Sequence, residues 1–137
     1  MQEKTHQLRY HEGHDKSEFS TEIQSLIDQT VAFADNAYAP YSNFHVSAGL
    51  ILDNGKFLFG TNVENASYPV GICAERTLLG HAVSNYPKNK ILTMAVYVDK
   101  AVGGPVPPCG ICRQSLLEAE IRQEQDFEII LISKEGS

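Results

Sequence analysis

Three cysteines and one glutamate are the residues of this sequence that can carry out chemistry together. Cys73 and Glu75 lie in the stretch GICAER (71–76), and Cys109 and Cys112 lie in PPCGICR (107–113). The C-x-x-C spacing puts the sulfurs of Cys109 and Cys112 on one face of a helical turn. The positive end of a helix dipole favours thiolates there. Three thiolates leave the fourth position of a tetrahedral zinc ion open for water, so the pattern predicts a catalytic zinc site.

Other interpretations of these residues remain open at this point. The C-x-x-C pair alone is compatible with a redox dithiol, although such a pair normally opens a thioredoxin-like βαβ unit. Cys73 alone would more often be a buried core residue. A structural zinc would require a fourth protein ligand, and four of the five histidines fall at positions 6 to 45, while His81 follows Cys73 by two helical turns. Glu75 favours catalysis, because Cys-x-Glu followed by Pro-Cys-x-x-Cys matches the three-cysteine variant of a zinc deaminase signature.

The elements that must position these residues follow from hydrophobic periodicity. Apolar residues from Ile23 to Ala34 recur at i, i+3 and i+4, which predicts a helix that starts with a Thr21–Gln24 capping box and stops before Pro40. Strands 46–52 and 56–63 flank an Asp-Asn-Gly turn, a strong hairpin signal. The remaining predicted elements are a helix over 72–85, a buried strand over 91–98, a helix over 110–122 and a buried strand over 127–132.

This order of elements predicts an α/β fold. Two successive β–helix–β crossovers imply a partly parallel sheet with an antiparallel hairpin at its start. No repeat or linker divides the chain, so we expect one three-layer α-β-α domain over residues 19–137. Residues 1–18 are rich in histidine and charge without a clear period, and we expect a flexible N-terminal extension.

Composition excludes several classes of partner. The 137 residues carry a formal net charge of −6, which argues against a nucleic-acid polymer as partner. No apolar run reaches the roughly 18 residues of a membrane span, so we expect no membrane partner. The N-terminus lacks the apolar core of a secretory signal, and three cysteines are an odd number for a disulfide framework. We therefore expect a reduced, cytoplasmic setting.

Three longer stretches extend the cysteine motifs: YAPYSNFHV (38–46), GTNVENASYPVGICAERT (60–77) and PPCGICRQ (107–114). With them the chain resembles the small, homotetrameric, three-cysteine zinc type of cytidine deaminase, within the cytidine/deoxycytidylate deaminase superfamily. The resemblance implies a mixed sheet of about five strands flanked by helices. It also implies one Zn²⁺ per subunit and hydrolytic deamination of cytidine and 2′-deoxycytidine to uridine and 2′-deoxyuridine in pyrimidine salvage.

The resemblance further implies roles around the metal. Cys73, Cys109 and Cys112 correspond to the zinc ligands and Glu75 to the proton shuttle. Arg76 corresponds to an arginine that hydrogen-bonds the ligand sulfurs.

Other positions correspond to the family's substrate contacts. Asn62 and Glu64 match the pair that binds the ribose, mainly its 3′-hydroxyl, and Phe44 matches an aromatic residue packed on the base. The backbone of Ala74 is implied to bind the pyrimidine edge. Tyr41 and Tyr68 resemble aromatics that line the site or the subunit contacts.

The sequence departs from the family pattern at three places, one of which is Pro107, where the family commonly has Ser. After FEIILISKEGS the family usually continues with another strand and a short helix, so we expect a domain that lacks them. Either the sequence is a piece of a longer chain or this protein closes its site differently. The run His45-Val46-Ser47-Ala48-Gly49 also differs from the more usual Pro-Val-Gly-Ala-Ala.

Three other functions remain open alternatives. One is a deaminase of another small amino-heterocycle such as blasticidin S, which the Asn62–Glu64 ribose pair disfavours. A polynucleotide deaminase is disfavoured by the net charge of −6. The third is a non-catalytic, zinc-stabilised binding module, which would not depend on Glu75.

Overall fold

The elements of the fold come in the predicted order. The computed structural model describes residues 1–100 and 103–134. The helices and strands are α1 (Thr21–Phe33), β1 (Val46–Leu52), β2 (Phe57–Thr61), α2 (Ala74–Asn85), β3 (Ile91–Val98), α3 (Gly110–Gln123) and β4 (Glu128–Ile132). Short 3-10 turns cover Lys16–Glu18, Ala34–Asn36 and Tyr68–Val70. No helix in these two ranges has both the length and the apolar character that a membrane span requires.

The four strands form one mixed sheet in the order β2-β1-β3-β4. β1 pairs antiparallel with both β2 and β3, and β3 pairs parallel with β4. The crossover through α2 therefore joins β2 and β3, which run parallel with β1 between them. These four strands are the ones that the apolar runs of the sequence predict. The family resemblance implies about five, and no fifth strand occurs among the described residues.

Alternating side chains of the sheet separate two hydrophobic clusters and confirm the three layers. Leu50, Leu52, Met94 and Val96 belong to the cluster that contains apolar residues of α2 and α3. Ile51, Ala95 and Tyr97 belong to the other cluster, with Leu26 and Ile27 of α1. Because successive strand residues point to opposite faces, both faces of the central strands are buried.

The close approach of α2 to the sheet depends on Gly60 in β2. A Cβ atom at Gly60 would lie 2.9 Å from the backbone nitrogen of Leu78 and 3.0 Å from its Cβ. Only a glycine allows the helix backbone to pack this closely against the strand. Since α2 starts only four residues before Leu78, this contact also sets the position of the helix start.

Four predicted element starts are wrong by one or two residues. β2 runs over Phe57–Thr61 rather than 56–63, and β4 starts at Glu128 rather than at 127. The starts of α1 and α2 also differ.

Ser20, not Thr21, is the N-cap of α1, and its Oγ accepts the N–H of Ile23 at 3.4 Å. The predicted capping box at Thr21 is therefore absent. α2 starts at Ala74 rather than at 72, because Ile72 forms a β-bridge with Val63.

A 3-10 turn lies inside the predicted N-terminal extension. Asp15 caps the turn and forms a capping box with Glu18. Lys16 forms an exposed ion pair with Asp28 of α1, with Nζ 2.7 Å from Oδ1. The last residues before α1 are thus tied to the domain by polar contacts.

Candidate metal and substrate site

The starts of α2 and α3 carry the three cysteines. Cys73 is the N-cap of α2 and Cys109 is the N-cap of α3, and neither side chain makes a capping hydrogen bond. Cys112 lies in the first turn of α3 and is fully buried. The two cysteine motifs occupy equivalent positions on neighbouring helices, as the sequence predicts, and both present their sulfurs at the positive end of a helix dipole.

The three sulfurs converge on one point. All three ligand atoms lie within 4.8 Å of one another. The Cys73–Cys109 and Cys109–Cys112 sulfur separations are 4.0 Å and 3.4 Å. A tetrahedral zinc with Zn–S bonds of about 2.3 Å requires sulfurs roughly 3.8 Å apart, a value between these two separations. The geometry and donor type therefore fit a zinc ion, and among the described residues no histidine or carboxylate joins the cluster.

The electrostatics of the three thiols differ. Burial, followed by smaller contributions that include the charge of Glu75, raises the pKa of Cys73 and of Cys112. The pKa of Cys109 is lowered, mainly by a hydrogen bond from the backbone N–H of Cys112. Burial therefore disfavours the thiolate forms of Cys73 and Cys112. A bound divalent cation supplies the charge that allows all three to ionise.

Glu75 is the buried acid of this site. It is the second residue of α2 and is 5 % exposed. Its negative charge contributes to the raised pKa of both Cys73 and Cys112, so its carboxylate lies close to the sulfur cluster. The preceding residue, Ala74, is fully buried, and at a helix start its N–H has no carbonyl partner within the helix. An acid and a free backbone donor thus lie beside the sulfurs.

Arg76 follows in the same turn and is partly buried. The Arg76 side chain makes no hydrogen bond or ion pair within residues 1–100 and 103–134. Its implied contact with the ligand sulfurs stays a prediction.

The segment 62–64 connects the sulfur cluster to the residues implied to bind substrate. Val63 and Ile72 exchange two backbone hydrogen bonds of 3.0 Å, which puts this segment beside the residue before Cys73. On its other edge, the Tyr38 N–H donates to Asn62 O and the Glu64 N–H to Tyr38 O. Asn62 and Glu64 are thus held near the start of α2, although they precede Cys73 by about ten residues.

The predicted aromatic residues are exposed around this segment. Phe44 is 37 % exposed, Tyr41 62 % and Tyr68 91 %, and Tyr68 opens the 3-10 turn just before Gly71. The Phe44 carbonyl accepts a hydrogen bond from Asn62 Nδ2 at 2.8 Å, which ties the aromatic segment to the segment 62–64. No ring contact of these three side chains occurs within the described ranges.

Sequence reasoning missed two residues that support the Phe44 segment. Ser42 Oγ accepts the N–H of Phe44 at 3.0 Å. Asp99, at the end of β3, accepts the N–H of His45 at 3.1 Å, and its other oxygen lies 3.7 Å from His45 Nδ1. Ser42 could have been found as the polar residue of a tight turn. No sequence pattern indicated Asp99, because it lies 54 residues from His45 along the chain.

Comparisons with known proteins agree with this geometry. Residues 20–125 match the family model described as the cytidine and deoxycytidylate deaminase zinc-binding region. The chain is 43 % identical over 95 residues to a cytidine deaminase of Halalkalibacterium halodurans, covering 69 % of this chain and 70 % of that protein. It is 39 % identical over 97 residues to a cytidine deaminase of Sporosarcina psychrophila, covering 71 % and 69 %.

A solved structure gives the same result in three dimensions. The crystal structure of cytidine deaminase from Burkholderia pseudomallei superposes with a TM-score of 0.72 at 39 % sequence identity. The match covers 82 % of this chain and 86 % of the crystallised chain. The matched family model spans both cysteine motifs and the segment 62–64. This chain therefore belongs to the cytidine and deoxycytidylate deaminase family.

Proposed function

We propose that this protein catalyses the zinc-dependent hydrolytic deamination of cytidine and 2′-deoxycytidine to uridine and 2′-deoxyuridine, with release of ammonia. The observation that carries the proposal is the cluster of three sulfurs within 4.8 Å of one another beside the buried Glu75. Family membership and the relatives named cytidine deaminase support the choice of reaction. Cys73, Cys109 and Cys112 would hold one zinc ion per subunit.

The chemistry assigns a proton-transfer role to Glu75. When bound, zinc supplies an acidified water as the nucleophile for C4 of the pyrimidine. The carboxylate of Glu75 takes one proton of that water and transfers it to N3 of the base. It then takes the second proton from the hydroxyl now on C4 and gives it to the amine, which leaves as ammonia. A single carboxyl group can serve all three sites only if it lies next to both water and base, and Glu75 is two residues from a ligand.

The surrounding residues bind the nucleoside. The free N–H of Ala74 is a donor for the pyrimidine edge, and Phe44 packs on the base. Asn62 and Glu64 bind the sugar hydroxyl. Arg76 offsets the net charge of −1 that three thiolates leave on a divalent metal. The domain that does this comprises residues 19–137, with residues 1–18 as an extension.

The test is an absorbance assay on the zinc-loaded protein. Deamination lowers the ultraviolet absorbance of cytidine, and we expect this change with cytidine and deoxycytidine. Zinc-loaded protein that is inactive on both nucleosides would exclude the proposed substrates, and activity on blasticidin S alone would identify the alternative deaminase. A shift of single-stranded RNA or DNA in a gel would instead indicate a polynucleotide substrate.

We also propose that the protein is a cytoplasmic homotetramer that serves pyrimidine salvage. The support for assembly is a group of exposed apolar residues near the site, namely Tyr38, Tyr41, Val63, Tyr68 and Val70. Apolar surface grouped in this way marks an interaction site more often than an isolated exposed residue does. Sedimentation equilibrium at micromolar concentration tests the proposal, and a monomer there would refute it.

A further inference from the structure

Both polar ends of the Asn62 side chain are already bound within the protein. Oδ1 accepts the N–H of Val46 at 2.9 Å, and Nδ2 donates to the carbonyl of Phe44 at 2.8 Å. The backbone N–H of Asn62 also donates to Val46 O at 3.1 Å. One side-chain amide therefore holds the chain immediately before and after His45. Of its hydrogen-bonding capacity, one N–H and one lone pair remain.

Glu64 holds the other end of the same segment. Its Oε1 accepts the N–H of Tyr41 at 3.3 Å and the N–H of Ser42 at 3.2 Å. Between these anchors the chain turns through Asn43, which has a positive φ of 51°. Such a turn is held by its hydrogen bonds, because few residues adopt this conformation without support.

Packing covers the Phe44 side chain only in part, and within the described residues its ring contacts no other aromatic ring. Its side chain is 37 % exposed, and the Ser42 hydroxyl accepts its N–H at 3.0 Å. The direction of the ring is therefore set by the backbone of residues 41–46, which Asn62, Glu64 and Ser42 bind.

We propose that Asn62 and Glu64 are positioning residues for Phe44, and that Ser42 acts with them. This inference rests on the proposed function and adds a second role to the pair: besides binding the sugar hydroxyl, Asn62 and Glu64 act through the base, because they hold the segment that carries Phe44. When the anchors are lost, the ring samples other directions and stacks less well on the base. The expected effect is a rise in KM of about 5- to 100-fold, the range that corresponds to one base–aromatic contact.

A comparison of two substrates separates the roles. 2′,3′-Dideoxycytidine lacks the 3′-hydroxyl that a sugar-binding pair would contact, and deoxycytidine has it. If Asn62 positions Phe44, Asn62→Ala raises KM on both substrates. On dideoxycytidine, the double variant with Phe44→Ala is then no worse than Phe44→Ala alone. A loss confined to deoxycytidine, or a loss on dideoxycytidine that adds to that of Phe44→Ala, would overturn the inference.

Two further variants make the test independent of folding effects. Ser42→Ala removes an exposed acceptor of the Phe44 N–H. It should raise KM in the wild-type background but not in the Phe44→Ala background, and this test remains available even if Asn62→Ala folds poorly. Asn54→Ala is the matched control, because it removes an asparagine acceptor of a backbone N–H, that of Lys56 at 3.0 Å, in the β1–β2 turn. It should leave KM on both substrates unchanged.

Hydrogen exchange gives a readout that does not require activity. The N–H of Val46 should exchange faster in Asn62→Ala, and that of Phe44 faster in Ser42→Ala, than in wild type or Asn54→Ala. Unchanged exchange rates would refute the positioning role. If the wild type deaminates neither nucleoside, the proposed function fails, while faster exchange would still support the anchoring of this segment.

Discussion

Replacement of Glu75 by glutamine tests the proposed mechanism most directly. Glutamine has nearly the shape of glutamate but cannot accept and return a proton. The structure predicts that the protein still folds and binds zinc, because the three sulfur ligands are unchanged. Burial is the main cause of the raised pKa of Cys73 and Cys112, and the charge of Glu75 adds to it, so the substitution takes a like charge away from the ligand thiolates. The Tm of Glu75→Gln should therefore be no lower than that of the wild type.

The size of the effect on turnover follows from the chemistry and from burial. A positioned acid–base group contributes about 10²- to 10⁴-fold, or about 3 to 5 kcal/mol of the activation free energy. Glu75 makes three transfers and is only 5 % exposed, so bulk buffer cannot replace it. We therefore expect a fall of kcat in the upper half of this range, by about 10³-fold or more.

The assay is the absorbance loss of deoxycytidine, with zinc content and Tm measured on the same preparations. Glu22→Gln is the matched control, because Glu22 is the second residue of α1 as Glu75 is of α2, and it is exposed. The control should keep full activity. A Glu75→Gln protein that binds zinc and keeps more than about a tenth of wild-type kcat would refute the proton-shuttle assignment.

Three further predictions concern the metal, the packing and the turn at the far end of the sheet. Cys109→Ser should fold, because Cys109 is exposed, but metal analysis after gel filtration should find well below one zinc per subunit. Gly60→Ala should lower the urea unfolding free energy by about 1–3 kcal/mol, because the new Cβ meets the Leu78 backbone. Gly80→Ala, with nothing within 4 Å, should raise it by about 0.5–1 kcal/mol. The Asn89 side chain, at 2.8 Å, is the main cause of the lowered pKa of Asp53. Because the pKa of Asp53 is lower in the folded than in the unfolded protein, its ionised carboxylate stabilises the fold at pH values above the unfolded-state pKa. This stabilisation is lost as the pH falls. The Tm advantage of wild type over Asn89→Ala should therefore shrink between about pH 5 and pH 3.

The order of the elements was predictable because it depends on local patterns. The 3.6-residue period of α1 and the Asp53-Asn54-Gly55 turn lie within short windows, and Gly55 indeed adopts a positive φ of 80°. Boundaries were less predictable. Ser20 and Thr21 are both common N-cap residue types, and Ser20 is the one that caps α1. Ile72 lies outside its predicted helix because it pairs with Val63. Only the folded chain brings that partner into place.

The sequence by itself determined the donor set: three cysteines and a glutamate at spacings that put them on helix starts. A spacing of three residues controls which side chains share a helix face, and this is a local property. The tertiary structure decided everything that joins distant parts of the chain. Cys73 and Cys109 are 36 residues apart, and their sulfurs meet because α2 and α3 pack on one face of the sheet. The anchoring of Phe44 by Asn62 spans 18 residues, and it exists because the antiparallel pairing of β1 with β2 brings the start of one strand beside the end of the other.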